Sequence, residues 1–451
     1  MNQSLEQYNA MPVLKSVVKN ALPAVLSMLM VLIYNLADTF FIGQTGDALQ
    51  VAAVSLATPV FLVFMSLGNV FGIGGTSVIS RAFGKGKKEY AKKVCSFCMW
   101  SCVAIGLVIS VGFLVFMDPL LKLIGASADT WDFTQSYLTI VSFCGVFALC
   151  SSCFSNVLRA EGQATRAMVG QIVGNVLNMV LDAVFIMVFN WGVVGCALAT
   201  LIGETVGALY YFLFYLRGKS SLGVNIKNFT VKEGVAGSVF AIGIPASLGS
   251  LLMSVSQIIM NSQMASYGDM ALAGIGVAMK VGMITGMISM GIGQGMQPLL
   301  GYCVGAKNWD RFKSYMKVSF IFATVIGTSL TALCYAFDNQ IVSLILTEPN
   351  AFDDAVQFVR ILICTGPLFG IYYMFINALQ AMGASMPSLI INISRQGLLY
   401  IPMLFILNAV LGMTGLVWAQ PVVDILSFVM GLVMYVVYLR RMMRRGVAVK
   451  A

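Results

Sequence analysis

The stretch "VLIYNLADTFFIGQTGD", Val31 to Asp47, decides what kind of fold this is. Asp38 stands in a run of Val, Leu, Ile, Tyr, Ala and Phe long enough to lie in a membrane, where an ionised carboxylate is costly. The run is typical of the whole chain. Of 451 residues, 59% are hydrophobic and 10% charged, and the mean hydropathy is +0.88. Soluble domains average about 45–50% apolar and about 25% charged residues. The composition therefore excludes an ordinary soluble enzyme and points to a polytopic membrane protein.

Apolar runs of about 20 residues or more, bounded by polar or Gly/Pro clusters, predict twelve helices. Their limits fall near 18–42, 51–80, 94–117, 133–158, 167–190, 193–216, 237–262, 270–303, 315–337, 355–381, 387–410 and 414–440. No segment left over is large enough for a soluble domain; the longest linker is "RGKSSLGVNIKNFTVKEG", Arg217 to Gly234. The net charge of +9 is a topology signal. Twenty-three of the 27 Lys and Arg fall on one side of such a set: Lys15 and Lys19, the cluster from Arg81 to Lys93, Arg159 and Arg166, Arg217 to Lys232 including Lys219, Lys307 to Lys317, and Arg440 to Lys450. Lys122 alone falls on the other side, and Lys280, Arg360 and Arg395 lie inside helices. The positive-inside rule then places both termini in the cytoplasm. These clusters lack aromatic interleaving, so nucleic acid is not expected as a partner.

The ten cysteines sit mostly in apolar runs, as in "VCSFCMWSC" (Cys95, Cys98, Cys102) and "LCSSCF" (Cys150, Cys153). With no His in the chain, the two C-x-x-C spacings read as small hydrophobes between helices, not as a zinc or redox site. The polar, mixed-charge start "MNQSLEQYNAMPVLKSVVKN" does not read as a cleavable signal.

The chain repeats itself. "LPAVLSMLM" (Leu22 to Met30) matches "IPASLGSLL" (Ile244 to Leu252), and "FGKGKKEYAKK" (Phe83 to Lys93) matches "VGAKNWDRFKS" (Val304 to Ser314). "NVLRAEG" (Asn156 to Gly162) answers "NALQAMG" (Asn377 to Gly383), and "WGVVGCALAT" (Trp191 to Thr200) answers "LGMTGLVWAQ" (Leu411 to Gln420). A nearly constant offset of about 221 residues makes two homologous lobes. The expected fold is all-α and integral to the membrane, with twelve transmembrane helices in two six-helix lobes related by a pseudo-two-fold axis along the membrane normal, an arrangement that supports alternating access. The expected divisions are an N-terminal lobe over 1–216, a linker over 217–236 and a C-terminal lobe over 237–451.

"ADTFFIG" in the first helix, "SRAFGKGK" after the second, "RAEGQ" after the fourth, "GQGMQPLLGYCVGAKN" (Gly293 to Asn308) at the eighth and "LQAMGASMPS" after the tenth together resemble the multidrug and toxic-compound extrusion (MATE) family. The resemblance runs from about Lys15 to Arg441. It implies a bacterial secondary antiporter of the inner membrane that exports organic, often cationic, drugs and metabolites in exchange for sodium ions or protons. It further implies a monomer with no enzymatic activity and no cofactor beyond the coupling ion.

The ionisable groups inside the spans carry a functional reading independent of the family, because each costs about 2.5–3.5 kcal/mol to insert. The first lobe holds Asp38, Asp182 and Glu204 with no basic partner inside its spans; the second holds Lys280, Arg360 and Arg395 with Asp424. Unpaired carboxylates in an apolar medium must be protonated or hold a cation. By depth, Asp38, Asp182, Asn178, Thr200 and Tyr137 are expected to share a pocket in the outer half of the first lobe, an oxygen-rich set suited to a hard cation. The family's cation site, with Asp in the first helix, Asn and Asp a turn apart in the fifth and Thr in the sixth, implies Asp38, Asn178, Asp182 and Thr200 as the sodium or proton ligands. Relatives with acids in the seventh and tenth helices have no counterpart here, only Asp353 and Asp354 at the edge of the tenth.

Each residue also has a structural reading. Asp38 and Asp182 fit a hydrogen-bonded network, and Asn178, Thr200 and Tyr137 fit ordinary interhelical bonding. Glu204 and its repeat counterpart Asp424 fit a shared packing role, and Lys280 either reaches a polar cavity or neutralises Asp424. Met283, Met287 and Met290, with Met279 at helical spacing, are candidate substrate contacts of the adaptable kind, or plain packing. An alternative function is a lipid-linked precursor flippase, favoured by the basic bias of the second lobe. A membrane enzyme is disfavoured, since the chain has no His and "GKGKK" (Gly84 to Lys88) lacks the upstream Gly of a phosphate loop.

Overall fold

The computed structural model describes Tyr8, residues 10–218, 220–345 and 351–448; Lys219 and Lys450 of the basic clusters lie outside the described residues. Among those described, every regular element is helical. In chain order they are α1 (Val13–Gly43), α2 (Ala48–Gly84), α3 (Lys88–Val115), the short α4 (Met117–Leu123), α5 (Trp131–Ala160), α6 (Ala164–Asp182, continued by a π-helical turn Ala183–Val188) and α7 (Gly192–Leu216). There follow α8 (Val235–Ala265), α9 (Asp269–Gly305), α10 (Trp309–Ala336), the short α11 (Asp338–Ile345), α12 (Phe352–Ile363), α13 (Gly366–Ala381), α14 (Ser385–Ile393, then a π-turn Ser394–Leu398), α15 (Tyr400–Leu411) and α16 (Met413–Ala448).

Among the described residues, eleven helices are long and apolar enough to cross a membrane, counting each π-turn with its neighbours, and the pair α12–α13 makes the twelfth. That pair corrects the expectation of one continuous helix over 355–381. It bends by 43° between Ile363 and Gly366. Gly366 and Pro367 open α13, and proline has no N–H to continue the ladder of the preceding helix.

The helix ends follow local rules. Asp47 caps α2 by accepting the Leu49 N–H at 2.9 Å, and Asn308 caps α10 by accepting that of Arg311 at 3.1 Å. The left-handed turn after α2 is made by Gly86 at φ 72°, whereas the repeat places Lys307 there at φ 56°.

The helices gather into two compact units, one holding Leu26–Gly243, the other Tyr8–Val25 together with the chain from Ile244 on. The division differs from the expected one: residues 8–25 pack with the second unit, and residues 217–243 with the first. In both α1 and α8 the change of unit falls beside a proline, Pro23 and Pro245.

In the first unit, small residues bring helices close. A Cβ on Gly68 would lie 2.8 Å from the Leu149 carbonyl oxygen of α5, and one on Gly174 of α6 would lie 2.8 Å from the Gly203 carbonyl oxygen of α7. The linker is held against α3. Trp100 Nε1 donates to the Val224 carbonyl at 3.1 Å, Ser96 Oγ to that of Asn225 at 2.6 Å, and Lys93 pairs with Glu233 at 2.7 Å. Just past α5, buried Glu161 accepts the hydroxyls of Ser220 and Ser221, both at 2.8 Å, and the Ser221 N–H. Burial pushes the Glu161 carboxyl up, against the pull of these donors.

In the second unit, the segment from Tyr8 to Val25 is fastened by Arg311, whose guanidinium donates to the carbonyls of Tyr8 and Met11, and by Tyr315, whose hydroxyl reaches the Tyr8 carbonyl at 3.0 Å. Gly291 and Gly295 of α9 lie against Val25 and Asn20. The apolar core of this unit is built around Ile275, Phe358, Leu404 and Leu416.

Candidate functional site

The site belongs to the first unit and is built from α1, α6 and α7. Asp38 of α1 and Asp182, the last residue of α6 before its π-turn, bring their carboxyls within hydrogen-bonding range of each other. Asp182 is fully buried. Both of its oxygens, and Oδ1 of Asp38, are shielded from solvent without a hydrogen-bond donor. One turn back on the same face of α6, Asn178 donates from Nδ2 to Thr200 Oγ1 at 3.3 Å, and Thr200 donates to the Cys196 carbonyl at 3.1 Å. That leaves the Asn178 Oδ1 buried and unpartnered as well. Two carboxyls and an amide oxygen are thus gathered without donors.

Such a cluster cannot carry two bare charges in an apolar surround. A proton shared by the acids, or a hard monovalent cation among the oxygens, satisfies it. Among the described residues no group of three Asp, Glu, Cys or His could hold a metal ion. The donor set, two carboxylates with an amide and a hydroxyl, suits a weakly charged ion.

Of the five expected residues, the structure brings Asp38 to Asp182 and Asn178 to Thr200. Tyr137 is buried in the neighbouring apolar cluster with Ile42 and Cys196, shares a hydrogen bond with the Cys196 thiol, and lies within electrostatic reach of Asp38. Glu204 of α7 bonds to Ser151. Two groups were missed by sequence. Tyr34, buried one turn before Asp38, lies within electrostatic reach of both Asp38 and Glu204. Gln171 and Asn175 carry buried unpartnered polar atoms, Oε1 and Nδ2. The signal for them was the spacing 171, 175, 178, 182, one polar stripe along an apolar helix.

The second unit treats its charges differently. Asp424 of α16 is buried and accepts Arg395 Nε at 2.9 Å and Nη2 at 2.8 Å, the Thr365 hydroxyl at 2.9 Å and Gln420 Nε2 at 2.8 Å. The notion that Lys280 neutralises Asp424 is therefore corrected: a guanidinium in the π-turn after α14 reaches it first. Lys280 is exposed on α9 with no ion pair among the described residues. Arg360 pairs with Asp338, which opens α11, and this bond holds the Asp338 carboxyl below its ordinary value. Met283 is 37% exposed on α9, Met287 and Met290 are half-buried, and Met279 packs on the apolar core. Cys95, Cys98, Cys102, Cys150 and Cys153 are all buried free thiols.

The profile of the MatE family matches residues 23–184 and 245–406, once in each half of the chain. The chain is 31% identical over 440 residues to the multidrug export protein MepA of Staphylococcus aureus, covering 98% of this chain and 97% of that protein. To the multidrug export protein MepA of Staphylococcus haemolyticus it is 30% identical, covering 97% and 96%. Among solved structures, that of MATE in complex with MaL6 superposes with a TM-score of 0.93 over 98% of this chain and 100% of that one, at 23% identity. The outward-facing conformation of a multidrug resistance MATE family transporter of the MOP superfamily gives 0.91 over 96% and 97%, also at 23% identity. At that identity the likeness to the two structures is one of fold.

Proposed function

The chain belongs to the MATE family of multi-pass membrane transporters, and from that premise we propose that it exports organic cations, drugs or metabolites, in exchange for sodium ions or protons by alternating access. The observation that carries the reading is the pair Asp38–Asp182, a half-buried and a fully buried carboxyl within hydrogen-bonding range, with no donor on Asp38 Oδ1 or on either Asp182 oxygen. A site of this kind is stable only when loaded. Gain and loss of the ion then shift the balance between two conformations by the difference in ion affinity of each. Asn178 and Thr200 orient the second oxygen group, and Tyr34 extends the polar path toward Glu204. Both termini and the basic clusters face the cytoplasm of a bacterial cell, and export runs outward from there.

The flippase reading rested on a basic second lobe. Two of its three intramembrane cations, Arg360 and Arg395, are bonded to Asp338 and Asp424. Only Lys280 remains to meet an anionic substrate, which favours the drug exporter.

The test is efflux of a fluorescent organic cation from vesicles under an imposed sodium or proton gradient, with Asp38→Asn and Asp182→Asn beside the parent. Gradient-driven efflux in the parent and its loss in both variants is the expected result. Parental rates in both variants under either gradient overturn the site, and saturable binding of a pyrophosphoryl lipid without cation efflux overturns the substrate class.

A further inference from the structure

The repeat sets two carboxylates in register: Glu204 of α7 and Asp424 of α16 stand at equivalent positions, as do Thr200 and Gln420. Around them the units diverge. Where the first unit has Gly174, the second has Arg395, at the offset of 221 residues that relates Asn156 to Asn377. In the first unit the helices close at this level, with Gly174 against the Gly203 carbonyl, and no guanidinium fits. In the second, a π-turn at Ser394–Leu398 carries Arg395 inward. It reaches Oδ1 of Asp424 with two nitrogens, Nε and Nη2, stacks over Phe369 at 4.3 Å and Tyr372 at 5.1 Å, and is 5% exposed.

Without the guanidinium, this locus would present Asp424 unpaired beside a hydroxyl and an amide. It would hold two carboxylate oxygens of Asp424, the hydroxyl of Thr365 at the break between α12 and α13, and the Gln420 amide, whose oxygen can turn inward. This matches the donor chemistry of the first unit, where carboxylate, amide and hydroxyl oxygens meet without a basic side chain. The second unit carries on its own chain the positive charge that the first unit lacks at this level.

We propose that Arg395 is a tethered counter-cation filling a latent monovalent-cation site made by Asp424, Gln420 and Thr365, so that ion exchange is confined to the first unit. A guanidinium cannot be deprotonated under working conditions, and its two charge-assisted bonds to Oδ1 of Asp424 make the occupancy permanent. The inference deepens the proposed coupling but does not require that Asp38 and Asp182 be the exchanging site, because it predicts a change relative to the parent whatever the parent binds.

The experiment counts sodium ions bound per chain at saturation, by equilibrium binding of radioactive sodium to purified full-length protein in nanodiscs at alkaline pH. Arg395→Ala is expected to bind one sodium more than the parent. Arg395→Ala/Asp424→Asn returns to the parental number, and Arg395→Lys keeps it. A folded Arg395→Ala with the parental number overturns the proposal. Should that variant not fold, the apolar exchange Arg395→Met/Asp424→Leu decides the matter, since it removes the pair without leaving an unpaired charge. The parental number of ions and parental ion-driven efflux support the proposal, and loss of a bound ion shows that Asp424 exchanges one and overturns it. Loss of binding in Asp38→Asn/Asp182→Asn, measured alongside, reports separately on the first-unit site.

Discussion

Asp38 and Asp182, contributed by helices 144 residues apart in sequence, face each other with carboxyl groups that only a shared proton or cation can reconcile. On the proposed reading the two act on one ion, so their losses overlap. Asp38→Asn or Asp182→Asn alone should lower ion-driven efflux by about 100-fold, or ~2.7 kcal/mol, and the double variant should be no worse than the single ones. Additive losses in a double-mutant cycle would mean two independent sites.

Asn178, one turn before Asp182 on α6, bridges to Thr200 and leaves its oxygen buried and unpartnered. Asn178→Ala should weaken the apparent affinity for the coupling ion by about tenfold, ~1.4 kcal/mol, while the maximal rate at saturating ion changes little. Thr200→Ser should retain the parental affinity and Thr200→Val should not. The check is the ion-concentration dependence of efflux, with sodium and proton gradients imposed in separate series.

Gly174 and Gly203 set how closely α6 and α7 approach beneath the site. Gly174→Ala places a methyl group 2.8 Å from the Gly203 carbonyl oxygen and should cost about 1–3 kcal/mol by overpacking, seen as a lower Tm in detergent. Gly207→Ala, one turn along, meets its nearest neighbour at 3.5 Å and should leave Tm within the error of the parent. Equal effects would show that the contact is not limiting.

Glu161 clasps the linker through Ser220 and Ser221. Glu161→Ala removes bonds to a carboxyl each worth about 1.5–3 kcal/mol, and limited proteolysis should then cut within residues 217–234 faster than in the parent. Burial raises this carboxyl above its unfolded value. The sign follows: the stabilisation is complete below the unfolded value near 4.3 and is lost as pH rises through the raised value. Cleavage of the parent should therefore be slower at about pH 4, below the ordinary glutamate value, than at about pH 8, above it. Glu161→Gln should flatten that difference after correction for protease activity.

Much of this architecture was legible because membrane insertion writes itself into composition. Runs near the width of the apolar layer and one-sided basic loops are forced by solvent, so the twelve spans and the two repeats could be read directly. The meeting of Asp38 with Asp182 was legible by the same logic, since depth along two helices is countable from their ends. What stayed hidden was set by contacts across helices. Gly366 and Pro367 break the tenth span inside an unbroken apolar run, where hydropathy reports nothing of the backbone. The bond between Arg395 and Asp424 depends on a π-turn that reorients one side chain, and no periodicity announces it. Nor does a repeat in sequence say with which unit the first half of α1 packs.

The packing of Tyr8 to Val25 with the second unit sets an order in how the protein is made. The segment from Tyr8 to Val25 leaves the ribosome well before Arg311, which fastens it and follows 303 residues after Tyr8. At about 5–20 residues per second, roughly 15–60 s of translation separate the two. Through that interval the start of α1 must be held by the insertion machinery or by lipid, and the second unit is completed by a segment made before the rest of it. Two fragments split after Leu216 and coexpressed would each lack a piece of their own unit, and neither would fold without the other.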